Sequence, residues 1–264
     1  MTGFPQPAEL TEQVFTSLET KAEQPLGRIA VLGVLAGVYI GLGGLFATLA
    51  LAGADALPFG FAQVLAGVVF SLGLAAVLVA GAELFTGNTL MAGPVLSGRL
   101  SLKSALRALS VAYIANLAGS LLLAGLVFLS GFHSAGNGEV GRAAMDIATT
   151  KTDKAFLTVI ASGVLANLLV CLGVWMALTG ETVTQKIAGL LLPVSAFVAA
   201  GFEHSIANMY LLPYAYLTGI GADGATSLTM PAVVSNIIAA TLGNIIGGTA
   251  LAAMYALAFR PVRS

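Results

Sequence analysis

Long uncharged, apolar stretches separated by short charged ones dominate the chain. They run from Ile29 to Ala54, Ala56 to Ala82, Ala108 to Gly138, Ala155 to Gly180, Ile187 to Phe202 and Gly224 to Phe259. A membrane-crossing helix needs about 20 mostly apolar residues, and five of these stretches are long enough. The stretch ending at Phe202 is short, but it resumes past Glu203 and His204 as Ser205 to Gly219. The stretch ending at Ala82 likewise continues past Glu83 as Leu84 to Gly98. Each pair reads as one span broken by a polar insert. The pattern predicts an all-α membrane protein with six crossings.

Loop charges bear on the count. With the N-terminus inside, the inner side receives Lys21, Arg28, Arg99, Lys103, Arg107, Lys186, Arg260 and Arg263. The outer side receives only Arg142, Lys151 and Lys154. The excess of inner positive charge predicts cytoplasmic termini in a cell inner (plasma) membrane protein. Counting each half of a broken span as a full one would move Arg99, Lys103 and Arg107 outside, so that count is rejected. Residues 1–27 carry Glu9, Glu12, Glu19, Lys21 and Glu23 without an apolar run, unlike a signal peptide. Leu10, Val14, Leu18 and Ala22 recur every fourth residue, predicting an amphipathic cytoplasmic helix ahead of a channel domain over 28–260. Its polar face is acidic, so packing on its own or a neighbouring subunit is favoured over anionic lipid. A gating role is the sharper alternative.

Composition agrees. Of 264 residues, 58% are apolar and 9% charged, too few charges to cover a soluble surface of this size. With mean hydropathy at +0.95, lipid is the solvent for most of the chain. A net charge of −1 without a basic cluster excludes nucleic-acid binding. Cys171 is the only cysteine, which excludes a disulfide framework, and no metal-ligand spacing or cofactor motif appears. The 32 glycines suit helices packed closely through small faces.

The two breaks share Gly-x-Glu-x4-Asn: Gly81, Glu83 and Asn88 in one, Gly201, Glu203 and Asn208 in the other. Each sits in the middle helix of a group of three, and each group ends in a helix with Asn-x-x-Gly, Asn116 to Gly119 and Asn244 to Gly247. Three crossings per unit is odd, so the second repeat (151–260) must be inverted relative to the first (28–132). Inverted repeats with discontinuous helices place a substrate path at their interface near the midplane. Lipid cannot satisfy the N–H and C=O groups that a break frees. Glu83 and Glu203 are therefore expected to accept hydrogen bonds from freed N–H groups, and Asn88 and Asn208 to bond across the same loops. Direct contact of the acids with a permeant species is the alternative reading.

These motifs resemble the formate–nitrite transporter family. Gly-Phe-Glu-His-Ser-Ile-Ala-Asn-Met at 201–209, Gly-Val-Leu-Ala-Asn-Leu-Leu-Val-Cys-Leu at 163–172 and Glu-Leu-Phe-Thr-Gly at 83–87 carry the likeness, which runs from about Leu26 to Arg260. The resemblance implies a homopentamer of aquaporin-like protomers, each with a pore for formate, nitrite or, in one branch, hydrosulfide. It implies that His204 is the central pore histidine and that Thr86 faces it. It assigns Phe70, Leu74, Leu84 and Phe197 to two apolar constrictions, Lys151 to a vestibule, and Asn167 and Asn244 to the pore lining. Lys151 stands 16 residues before Asn167, and these last assignments rest on spacing.

An ion passing an apolar constriction faces a cost of several kcal/mol even after relaxation. Protonating a weak acid of pKa about 3.5–4 at pH 7 costs about 4–5 kcal/mol. Transient neutralisation is therefore the expected route, with Lys151 gathering the anion and His204, neutral at rest, joining a proton relay with Thr86. Cationic His204 binding the anion, or a merely structural histidine, are the alternatives. His133 is expected to be solvated in the outer loop, and Trp175 and the tyrosines to pack or anchor at the interface. Ser205 lies beside His204, but neighbours in sequence need not point together and no catalytic set is recognisable, so an enzyme is not expected. A hydrosulfide channel remains the runner-up within the family. An aquaporin-like facilitator of neutral solutes is the reading from another class, though neither break carries Asn-Pro-Ala. The outer loop over about 219–229 is short, and Phe-Thr-Gly at 85–87 leans towards nitrite.

Overall fold

The structure, a computed structural model, describes residues 6–223 and 228–259. Arg260 and Arg263, and residues 224–227 of the outer loop, lie outside them. Among the described residues every regular element is helical. An amphipathic helix α1 (Pro7–Ala22) precedes α2 (Leu26–Leu51) and α3 (Phe59–Ala80). A break follows, then α4 (Phe85–Asn88), one 3-10 turn and α5 (Ala92–Leu96), before α6 (Leu102–Leu129). The second half repeats the plan: α7 (Glu139–Thr152), α8 (Phe156–Leu178), α9 (Val183–Ala199), a break, α10 (Ser205–Asp223) and α11 (Met230–Ala258). Among the described residues five helices are long and apolar enough to span a membrane, and α9 is a shorter apolar one.

Some boundaries differ from the uncharged stretches. α6 starts at Leu102, six residues before Ala108, because Ser101 caps it by accepting from the Ser104 N–H at 3.0 Å. Lys103 and Arg107 sit exposed on its first turns. Charge thus marks the edge of the apolar zone, not the end of the helix. α10 continues past Gly219 to Asp223, into the expected outer loop. The other loop expected outside contains α7, which buries Val140, Ala144 and Ala148.

The two halves pack alike. α2 lies against α3 and α6, α8 against α9 and α11, and α3 meets α9 at the centre. Small residues make these contacts close: a Cβ on Gly119 would stand 2.0 Å from the Val34 carbonyl oxygen, and one on Gly247 2.3 Å from that of Val164. The Asn-x-x-Gly pattern therefore reflects backbone-to-backbone packing. Large apolar side chains such as Ile114, Leu126, Leu157 and Ile246 point outward, as lipid solvation requires. Helix α1 seats on its own chain: Leu10, Val14, Leu18 and Ala22 are buried, and Phe15 meets Trp175 edge-on at 6.4 Å. Trp175 also stacks on Tyr255, so it serves packing. His133 is not simply solvated. It is half-buried and stacks on Phe128 at 5.1 Å, because α7 folds the loop back onto α6.

Candidate functional site: two broken helices around a histidine

Each break is built the same way. Gly81 (φ +75°) and Gly201 (φ +65°) turn the chain out of the first half-helix in a left-handed conformation that a side chain would strain. Three non-helical residues follow, 82–84 and 202–204, and the second half-helix starts at Phe85 or Ser205. Its first N–H is satisfied by an asparagine from the third helix of the repeat. Phe85 N–H donates to Asn116 Oδ1 at 2.9 Å, and Ser205 N–H to Asn244 Oδ1 at 2.8 Å. The same amides donate to the Gly33 and Glu83 carbonyls at 2.8 and 2.9 Å, and to the Gly163 and Glu203 carbonyls at 2.8 and 2.9 Å.

This corrects the expected role of the two acids. Among the described residues neither carboxylate receives a backbone N–H; a neutral amide, which offers both donor and acceptor, spans the gap instead. Asn244, expected on the pore, is fully buried in that clamp and lines neither cavity described below.

The carboxylates collect side-chain cations and amides. Glu83 accepts from Lys21 Nζ at 3.1 Å, Gln24 Nε2 at 3.4 Å and Asn88 Nδ2 at 2.7 Å. Glu203 accepts from Lys151 Nζ at 3.0 Å, Lys154 Nζ at 2.6 Å and Asn208 Nδ2 at 2.7 Å. Asn88 and Asn208 thus bond across their loops. Asn208 also donates to Asn236 Oδ1, and Asn236 donates to the Lys151 carbonyl. Burial pulls the Lys151 ammonium below a lysine's ordinary pKa, the Glu203 carboxylate opposes that, and the like charge of Lys154 adds to it.

Between the breaks sits His204. It occupies the N-cap position of α10, and its Nδ1 accepts from the Ala207 N–H at 3.1 Å. A neutral ring that accepts at Nδ1 carries its proton on Nε2. Nε2 lies 2.9 Å from Thr86 Oγ1, so the imidazole donates there and leaves the threonine hydroxyl proton free to donate onward. Both ring nitrogens are engaged, so no Ser205–His204 pair exists. Asn167 lies behind this centre: its Nδ2 donates to Thr86 O, Thr89 Oγ1 and Asn244 O at 3.2, 3.0 and 2.6 Å. Like Asn244 it lines neither cavity, and its amide nitrogen holds the first loop.

Two cavities flank the histidine. The larger, about 720 Å³, opens on the α7 side and is lined by Phe70, Phe197, Lys151, Lys154, Asn208 and His204 among others. Phe70 and Phe197 meet edge-on at 5.6 Å, and the Phe197 ring lies 5.6 Å from the imidazole. The smaller, about 40 Å³, lies on the α1 side against Lys21, Leu74, Leu84 and Asn88. The site residues therefore fall into an aromatic pair on one side, an aliphatic pair on the other, and His204 with Thr86 between them. Lys21, Lys154, Gln24 and Asn116 complete the site without having been singled out for it in the sequence. One signal was available: Lys21 and Lys151 each stand five residues before the helix that opens their repeat.

Inverted three-helix repeats with broken middle helices, closing on a buried polar centre between two cavities, define a membrane channel or transporter protomer. The chain belongs to the formate/nitrite transporter family, whose profile matches residues 8–258. It is 38% identical over 230 residues to formate channel FocA of Escherichia coli (strain K12), covering 82% of this chain and 81% of that one. It is 36% identical to a probable formate transporter of Methanothermobacter thermautotrophicus over 93% of each chain. A solved pentameric formate channel with formate bound superposes with a TM-score of 0.80 at 36% identity, covering 87% of this chain and 95% of that chain.

Proposed function

We propose that the chain forms a homopentamer in which each protomer conducts formate, nitrite or a similarly small monovalent weak-acid anion, hydrosulfide included. Both termini then lie on the cytoplasmic side of the inner membrane, with α7 facing outward. The observation that carries this reading is the hydrogen-bonded His204–Thr86 pair, set between the aromatic pair of the larger cavity and the aliphatic pair of the smaller one. An anion entering the larger cavity meets Lys151 before Phe70 and Phe197. Its charge is costly beyond them, so proton uptake there lets it pass as the neutral acid. The hydroxyl of Thr86, oriented by the His204 Nε2–H, donates to the permeant acid. Protonating the imidazole would require a second proton at Nδ1 and the loss of its bond from Ala207. The histidine therefore stays a neutral hydrogen-bond donor in one tautomer, and the proton that neutralises the anion is taken up from water in the larger cavity.

The test is uptake into proteoliposomes of formate, nitrite and hydrosulfide at pH 5–8, with internal pH recorded alongside. Saturable anion uptake accompanied by proton entry is expected, and His204→Asn is expected to lower it at least tenfold. Unchanged flux and pH dependence in that variant would remove the histidine's role. Passage of water or glycerol alone would favour a neutral-solute facilitator.

A further inference from the structure

The two breaks are not electrically equivalent, although their contacts superpose nearly one for one. Lys21 matches Lys151, Glu83 matches Glu203 and Asn88 matches Asn208. Three residues past each lysine the match ends: Gln24 faces Glu83, whereas Lys154 faces Glu203. On the α1 side one ammonium meets one carboxylate, and the cluster is neutral. On the α7 side two ammonium groups share one carboxylate and leave one positive charge.

We propose that Lys154 is the residue that polarises the pore, giving the α7 vestibule a net positive floor that captures anions from that face in preference to the other. This rests on the anion-conducting reading above. Lys151 alone would be cancelled by Glu203. Lys154 restores the charge, and its second bond, to the Gly201 carbonyl at 3.0 Å, holds it over the break. Its side chain is 24% exposed and that of Glu203 fully buried, so the excess charge faces the cavity. The other charged groups lining that cavity are Asp55 and Asp146, both exposed, so solvent and salt screen them. On the α1 side Arg107 donates to the Ala22 carbonyl from an exposed position and does not reach Glu83. A low-dielectric cleft whose buried floor carries an excess of one sign of charge concentrates its counter-ion, with effects of about tenfold or more on capture. Lys154 is thus a positioning residue for anion entry. It acts on half-saturation from one face, and maximal flux stays with His204 and Thr86.

The experiment measures formate uptake into vesicles sorted by orientation, with either the α7 face or the α1 face outward, at low and high salt. Lys154→Gln is expected to raise the half-saturating concentration about 3- to 10-fold from the α7 face only, at low salt, with maximal flux retained. Lys154→Arg should restore it. Gln24→Lys, which copies the charge to the other side, should lower half-saturation from the α1 face by a similar factor. Lys154→Gln that lowers maximal flux with half-saturation unchanged would overturn the proposal in favour of a structural role. If Lys154→Gln does not reach the membrane, Gln24→Lys decides: no change from the α1 face overturns it. A wild-type protein that takes up no anion from either face defeats the anion reading itself, a result distinct from failure of the asymmetry.

Discussion

The two breaks use one backbone solution and two charge solutions. At both, an asparagine from the closing helix ties together a freed N–H and two carbonyls with distances that agree within 0.1 Å. The carboxylates beside them have different company: Lys21 with Gln24 around Glu83, Lys151 with Lys154 around Glu203. Backbone geometry leaves little latitude, because every freed polar group needs a partner in lipid. Charge is free to vary where a cavity admits water. The position before each second half-helix differs as well, Leu84 against His204. An apolar side chain there lines the smaller cavity, whereas the imidazole caps its own helix and reaches Thr86.

Neutralising the acids should separate the breaks most. Glu203→Gln leaves two ammonium groups facing a neutral amide and should cost about 3 kcal/mol or more. Glu83→Gln strands one partly exposed lysine and should cost about half as much. Thermal unfolding of the purified variants in detergent measures both, and equal losses would contradict the charge asymmetry.

The asparagines should behave as equals. Asn116→Ala and Asn244→Ala each orphan one N–H and leave two carbonyls a partner short, for about 2–3 kcal/mol apiece. Unequal unfolding midpoints would mean that one break has a substitute partner. The smallest effect concerns pH. A lysine whose pKa is lowered loses its charge at lower pH than an exposed one, so capture from the α7 face should weaken earlier on the alkaline side than free lysine chemistry implies. Lys151→Arg stays charged and should flatten that decline, as read by half-saturation against pH.

Much of this architecture was legible before any coordinates. The spans, the broken second and fifth helices and the Gly-x-Glu-x4-Asn repeat follow from hydropathy and spacing, because lipid penalises charge and unpaired backbone so strongly. The fourfold spacing of Leu10, Val14, Leu18 and Ala22 correctly announced a buried helix face. What stayed hidden depends on long-range closure. Lys21 and Glu83 are 62 residues apart, Lys154 and Glu203 49 apart, and nothing local pairs them. Asn116 stood out as half of a repeat without showing what it held, and Asn167 and Asn244 resembled pore residues while serving the loops behind it.

By itself the sequence determined that the chain lives in lipid, where it crosses, where two helices must break and that the halves are inverted, since these follow from solvation of each segment taken alone. Only the tertiary structure decided which group satisfies each break, which tautomer His204 holds and how many cations meet each carboxylate. Those outcomes turn on atoms meeting within about 3 Å across distant segments, where a hydrogen bond forms or does not.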